Sequence, residues 1–179
     1  MRTAMAMFGA LMVALAMTGV AFAHWTDTLY INGTVNTGTF DAELSVGEGW
    51  DSEPECKNVS FITGSLSQDK NTITVTISHA YPCIHYYLPI DLHCVGSVPL
   101  RIQSITYGRG NLPDNTTLEI IADNDHPNEN RIEVGTQLHQ CQKAYGVLHV
   151  HLDEDAEENT TYTFSVTIDV VQWNYYRAP

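Results

Sequence analysis

Near the middle of the chain, residues of two kinds alternate without a break. Ile84, Tyr86, Leu88, Ile90 and Leu92 hold one parity, and His85, Tyr87, Pro89, Asp91 and His93 the other. Only an extended strand repeats its side chains every two residues, so the first set faces a core and the second faces water. A second segment behaves in the same way. Tyr162, Phe164, Val166, Ile168 and Val170 point one way, and Thr161, Thr163, Ser165, Thr167 and Asp169 the other. Turn residues (Gly, Pro, Asn, Asp) recur roughly every eight to twelve positions, and the runs between them are rich in Val, Ile, Thr and Tyr, the pattern of a sandwich or barrel. Beyond the N-terminal apolar stretch, no window carries a helical apolar stripe. The expected strands are Thr72–Ser78, Ile84–His93, Leu100–Tyr107, Thr117–Ala122, Gly146–Leu152 and Tyr162–Trp173, and Gln68-Asp69-Lys70-Asn71 turns the chain between Val59–Leu66 and Thr72–Ser78.

The N-terminal end constrains location. After Arg2 an apolar stretch runs from Ala4 to Ala23 and closes on Ala21-Phe22-Ala23, the small-x-small pattern of a secretory leader cut before His24. The competing reading is a retained membrane anchor. Residues 24–179 then suit one domain with a sizeable core. The whole chain carries a net charge of -13, and every Asp and Glu follows the leader. Phosphate backbones are repelled by such a chain, which argues against nucleic acid as a partner. The sequons at Asn32, Asn58, Asn115 and Asn159 are candidate glycosylation sites on an exported surface.

Directly after the leader, Trp25, Leu29, Ile31 and Val35 share one parity, against Thr26, Thr28, Tyr30, Asn32 and Thr34 on the other. This is a one-sided strand at a free end. On physical grounds it is either an edge strand of its own domain or a strand that completes the sheet of a neighbouring copy.

The junction from His24 to Gly38, together with Ser78-His79-Ala80-Tyr81-Pro82, Gly96-Ser97-Val98-Pro99-Leu100-Arg101-Ile102, Gly135-Thr136-Gln137-Leu138-His139 and Asn159 through Phe164 to Val171-Gln172-Trp173-Asn174, resembles the TasA/camelysin family of SipW-type secreted proteins, and archaeal bundling-pilus subunits look similar. The resemblance implies a jelly-roll-like, two-sheet antiparallel sandwich. It also implies a subunit that polymerises into an extracellular filament (a biofilm matrix fibre or bundling pilus) by donating its N-terminal strand to the next copy. Residues 24–36 then form the donor strand, with Trp25, Leu29, Ile31 and Val35 facing the acceptor, and residues 37–179 form the domain. The expected partners are other copies of the chain, head to tail, and signal peptidase during export. Camelysin-like relatives also suggest a secreted metallopeptidase, and a monomeric metal- or calcium-binding adhesin module is a further alternative.

The chain departs from the family pattern at three turns. Cys83 follows Tyr81-Pro82 where a glycine is usual, Cys94-Val95-Gly96 replaces Asn-Thr-Gly, and Gln140-Cys141 replaces Pro-Gly. An even number of cysteines in an exported domain reads as disulfides. Cys83 and Cys94 bracket a straight strand and stand about 30 Å apart at about 3.3 Å per residue, too far to bond. If Gly146–Leu152 runs antiparallel beside Ile84–His93, Cys141 approaches Cys94, which leaves Cys56 for Cys83.

No HExxH, CxxC or G-x-S-x-G motif is present, so neither a zincin, a redox pair nor a serine hydrolase is indicated, and no catalytic residue is assigned. His149-Val150-His151 sets two imidazoles on one face of a strand, and the antiparallel pairing would bring His85, Asp91 and His93 to that same wet face as a candidate zinc or copper site. Asp123-Asn124-Asp125 and Asp153-Glu154-Asp155 are candidate calcium ligands, though neither follows an EF-hand pattern. No resident cofactor is otherwise expected.

Overall fold

The computed structural model describes residues 2–19, 37–54, 57 and 59–178. The chain divides into two units, residues 1–36 and 37–179. In the first, α1 (Arg2–Gly19) is an 18-residue helix. Its described side chains are exposed on every face. Among the described residues, no helix is long and apolar enough to cross a membrane.

The second unit is an all-β sandwich of two packed sheets. Sheet A orders β1 (Ala42–Val46), β5 (His85–Cys94), β10 (Lys143–His151) and β7 (Thr117–Ile121), with β2 (Trp50–Asp51) also on β5 and β8 (Asn130–Arg131) also on β10. Sheet B orders β3 (Phe61–Leu66), β4 (Thr72–Ala80), β11 (Thr160–Gln172), β6 (Leu100–Gly108) and β9 (Gln137–Leu138). All pairings are antiparallel except β8 with β10. Successive strands change sheets at every step except β1 to β2, β3 to β4 and β7 to β8, the crossing habit of a jelly-roll-like sandwich.

Each strand expected from the alternation forms, with ends moved by a few residues. The expected Gly146–Leu152 begins earlier, at Lys143, because Lys143 pairs with His93 and Ala144 with Leu92. The parity assignment holds in detail. Tyr86, Leu88 and Ile90 have no accessible surface, and Phe164, Val166 and Ile168 face them from β11 at 3% or less. Burying a side chain of this kind contributes about 1.5–3 kcal/mol, and two facing rows of them give the sandwich its cohesion.

Pro89 lies inside a central strand, where a missing N–H normally costs a ladder bond. Its carbonyl accepts from Gly47 N at 2.9 Å, so its nitrogen faces the same edge. That edge is where the neighbouring chain leaves β1 and has not yet entered β2, so no pairing is lost. The turn at residues 67–72 closes as expected, with Ser67 N donating to Thr72 O at 2.9 Å and Lys70 in the left-handed region at φ 54°.

Two of the turn cysteines are also left-handed, Cys83 at φ 61° and Cys141 at φ 64°. Glycine adopts this conformation freely and a residue with a Cβ does not. The two cysteines therefore carry the strain of these turns.

Candidate functional site

The disulfides expected from the sequence are not formed: Cys83, Cys94 and Cys141 are free thiols, and Cys56 lies outside the described residues. The approach of Cys141 to Cys94 does occur in the backbone, since Cys141 N donates to Cys94 O at 2.9 Å and Cys94 N to Gln142 O at 3.0 Å. The side chains diverge for a physical reason. Cys94 holds the inward parity of β5 and is fully buried, its Sγ 3.7 Å from the carbonyls of Gly96 and Val98, whereas Cys141 stands on an exposed turn. Burial pushes the Cys94 pKa up, so the group stays a thiol.

The expected donor strand, with Trp25, Leu29, Ile31 and Val35, lies outside the described residues, as do the sequons at Asn32 and Asn58. Of the other two sequons, Asn115 is exposed and bonds Asp155 Oδ2 at 3.0 Å, and Asn159 sits in a left-handed turn at φ 54°.

Two regions of the sandwich have features that packing alone does not require. The first is a notch at one end. Thr72, the first residue of β4, pairs with Thr167, while β11 runs on to Gln172 with β6 on its other side. Past the bond from Ile168 N to Asn71 O (3.5 Å), β4 offers β11 no further partner along that edge. A cleft of about 280 Å³ opens here between the sheets, lined by the apolar side chains of Phe40, Ala42, Leu44, Leu92, Ile168 and Val170 and by the polar ones of Asp41, Asp69, Lys70, Asn71 and Asp169. Phe40 is 45% exposed. Core side chains of both sheets thus form one wall system beside a sheet edge that, among the described residues, carries no strand.

The second region is the outer face of sheet A. The register sets Tyr87 opposite His149 and His85 opposite His151, and β7 sets Glu119 opposite His149. His85 Nδ1 lies 2.9 Å from His149 Nε2, and His149 Nδ1 lies 3.1 Å from Glu119 Oε1. With the carboxylate accepting from His149 Nδ1–H, His149 Nε2 accepts from His85 Nδ1–H, and His85 Nε2 keeps a lone pair. The rings of His85 and His151 stack at 4.1 Å, and Trp50, Tyr87 and His149 continue the row at 5.5 and 5.0 Å. Burial, then the imidazoles of His151 and His149, hold the His85 pKa below its usual value, which keeps it neutral and able to donate a lone pair.

Of the four expected metal ligands, the structure gathers His85, His149 and His151 and leaves His93 out. His93 sits eight residues along β5, paired with Glu43 on one side and Lys143 on the other. Glu119 joins the cluster from β7, which parity alone could not indicate. Among the described residues, no three His, Cys, Asp or Glu side chains already converge as a ready ligand set. The acidic loops are occupied internally: Asp123 bonds the amide of Asp125 and His126 Nδ1, both through its carboxylate, and Asp153 Oδ1 accepts from Glu154 N.

No protein-family model matches the chain, and comparison with curated proteins and with solved structures finds no match.

Proposed function

We propose that the chain is an exported structural subunit that polymerises into an extracellular filament, the strand at residues 24–36 of one copy completing the sandwich of the next. The observation that carries this reading is the notch. A strand laid beside Ile168–Gln172 would continue the line of β4 and pair with the edge of β11 that no described residue covers. Its alternate side chains would enter a cleft already lined by Leu44, Leu92, Ile168 and Val170. Leu29, Ile31 and Val35 have the apolar character and spacing for that role. Strand addition takes its affinity from main-chain bonds and its register from such pockets. A head-to-tail contact of this kind is heterologous and propagates instead of closing. The apolar helix behind Arg2 supports the export step, with cleavage before His24 freeing the strand.

Negative-stain microscopy of the protein cut at His24 tests the reading. Filaments are expected, and their loss on deletion of residues 25–36 with the sandwich still folded supports strand donation. Persistent monomers at high concentration, or filaments indifferent to the deletion, refute it.

A further inference from the structure

The outer face of sheet A carries chemistry that polymerisation does not use. We propose that His85, His149 and His151 bind one divalent transition-metal ion of the imidazole-favouring kind, Zn2+ or Cu2+, with Glu119 holding His149 in the ligating tautomer. The site depends on no contact between copies, so it stands or falls separately from the filament reading.

Three features support it. The first is placement: His149 and His151 share one face of β10, and the register sets His85 directly across from His151 on β5, so two rigid neighbouring strands bring three imidazoles together. The second is the arrangement behind them. An imidazole that gives one N–H to a carboxylate presents its other nitrogen as a lone pair, the outer-shell pattern that orients metal-bound histidines. Glu119 Oε1 stands 3.1 Å from His149 Nδ1, and the side chain of His149 is only 14% exposed.

The third feature is distance. Two metal–nitrogen bonds of about 2.0–2.1 Å at a tetrahedral angle hold their nitrogens about 3.3 Å apart. His85 Nδ1 and His149 Nε2 now share a proton across 2.9 Å. An opening of about 0.4 Å admits an ion in place of that proton. His151, stacked on His85 at 4.1 Å, supplies the third nitrogen by turning its ring. Among the described residues, none is hydrogen-bonded to the His151 ring, which is held only by its stack on His85. The fourth position faces solvent and would take water, as at other three-histidine sites. His85 gives up its Nδ1 proton and carries one on Nε2 instead, so the neutral imidazole changes tautomer as the ion binds and no acid is released.

Equilibrium dialysis of the untagged full-length protein, stripped with chelator and loaded with Zn2+ or Cu2+, measures the site. One saturable equivalent per chain is expected, along with imidazole-nitrogen coupling in the electron paramagnetic resonance of the copper form. Because Trp50 stacks on Tyr87, and Tyr87 on His149, Cu2+ should also quench Trp50 fluorescence in the unmodified protein. Glu119→Gln should weaken binding about 10–100-fold, His85→Gln or His149→Gln by more than that, and His93→Gln not at all. Lack of a saturable equivalent with either ion, a copper spectrum without imidazole nitrogen, or equal loss in His93→Gln and His149→Gln overturns the proposal. The spectrum and the quenching are read on the wild type, so a variant that fails to fold does not protect the idea.

Discussion

Replacing Glu53 by Gln tests whether one carboxylate, more than apolar packing, fastens the segment from residue 53 to residue 60 onto the sandwich. Oε2 accepts from Val59 N at 2.8 Å, and Oε1 accepts from Ser60 N at 2.9 Å and from the Ser60 hydroxyl. Ser60 is fully buried and in turn accepts from Tyr86 Oη at 3.1 Å. Burial would raise the Glu53 pKa, but the bonds from the Ser60 hydroxyl and the two amides, with the Tyr81 phenol nearby, outweigh it and bring it from 4.5 down to about 2. That lowering corresponds to about 3.4 kcal/mol. Solvent around a partly exposed carboxylate roughly halves it, to about 1.5–2 kcal/mol. The folded pKa lies below the unfolded one, so this stabilisation is complete above about pH 4.5 and is lost as the pH falls toward about 2. Urea unfolding followed by circular dichroism at pH 7, 4.5, 3 and 2 should show Glu53→Gln less stable by about 1.5–2 kcal/mol at neutral pH, with the gap to wild type closing below about pH 4.5. A gap that does not change with pH, or none at pH 7, would refute the role given to the charge.

The turns make two further predictions. Cys83→Gly and Cys141→Gly should each raise stability by about 0.5–1 kcal/mol in reducing buffer, since glycine removes left-handed strain and returns part of the gain as unfolded-chain entropy; denaturant midpoints that fall would contradict this. Gly110→Ala should cost more than about 2 kcal/mol, because at φ 57° its Cβ would lie 1.9 Å from Thr163 O; a thermal melt within error of wild type would show that the turn relaxes freely.

What could be read from the sequence followed the length of each pattern. β5 and β11 alternate for ten residues or more, and their faces and buried members were readable from parity alone. β2, β8 and β9 are two residues each and exist because β5, β10 and β6 offer them an edge, a tertiary cause that no local signal carries. In β1 only Leu44 is fully buried, too little alternation to mark a strand before Gly47 and Gly49.

The histidine cluster was legible to the extent that the β5–β10 pairing was. It correctly joined His85 to His149 and His151, but shared parity also admitted His93, which the strand's own length carries to the far end of the face. Glu119 and Trp50 could not be placed without the β7 and β2 registers. The cysteines show the opposite limit. Their backbones meet where the pairing predicts, yet burial of one side chain and exposure of the other is decided by strand parity at Cys94 and by the turn at Cys141.

The most direct test of the filament reading is a photo-crosslink from the donor segment. A benzoylphenylalanine placed at Ile31, in a mixture of 15N-labelled and unlabelled subunits, records whether residue 31 meets its own chain or another. The account predicts mixed-isotope crosslinks to peptides containing Leu44, Ile168 or Val170, abolished by prior addition of a peptide covering residues 24–36. Crosslinks confined to single-isotope pairs, or mapping away from the notch, would contradict it.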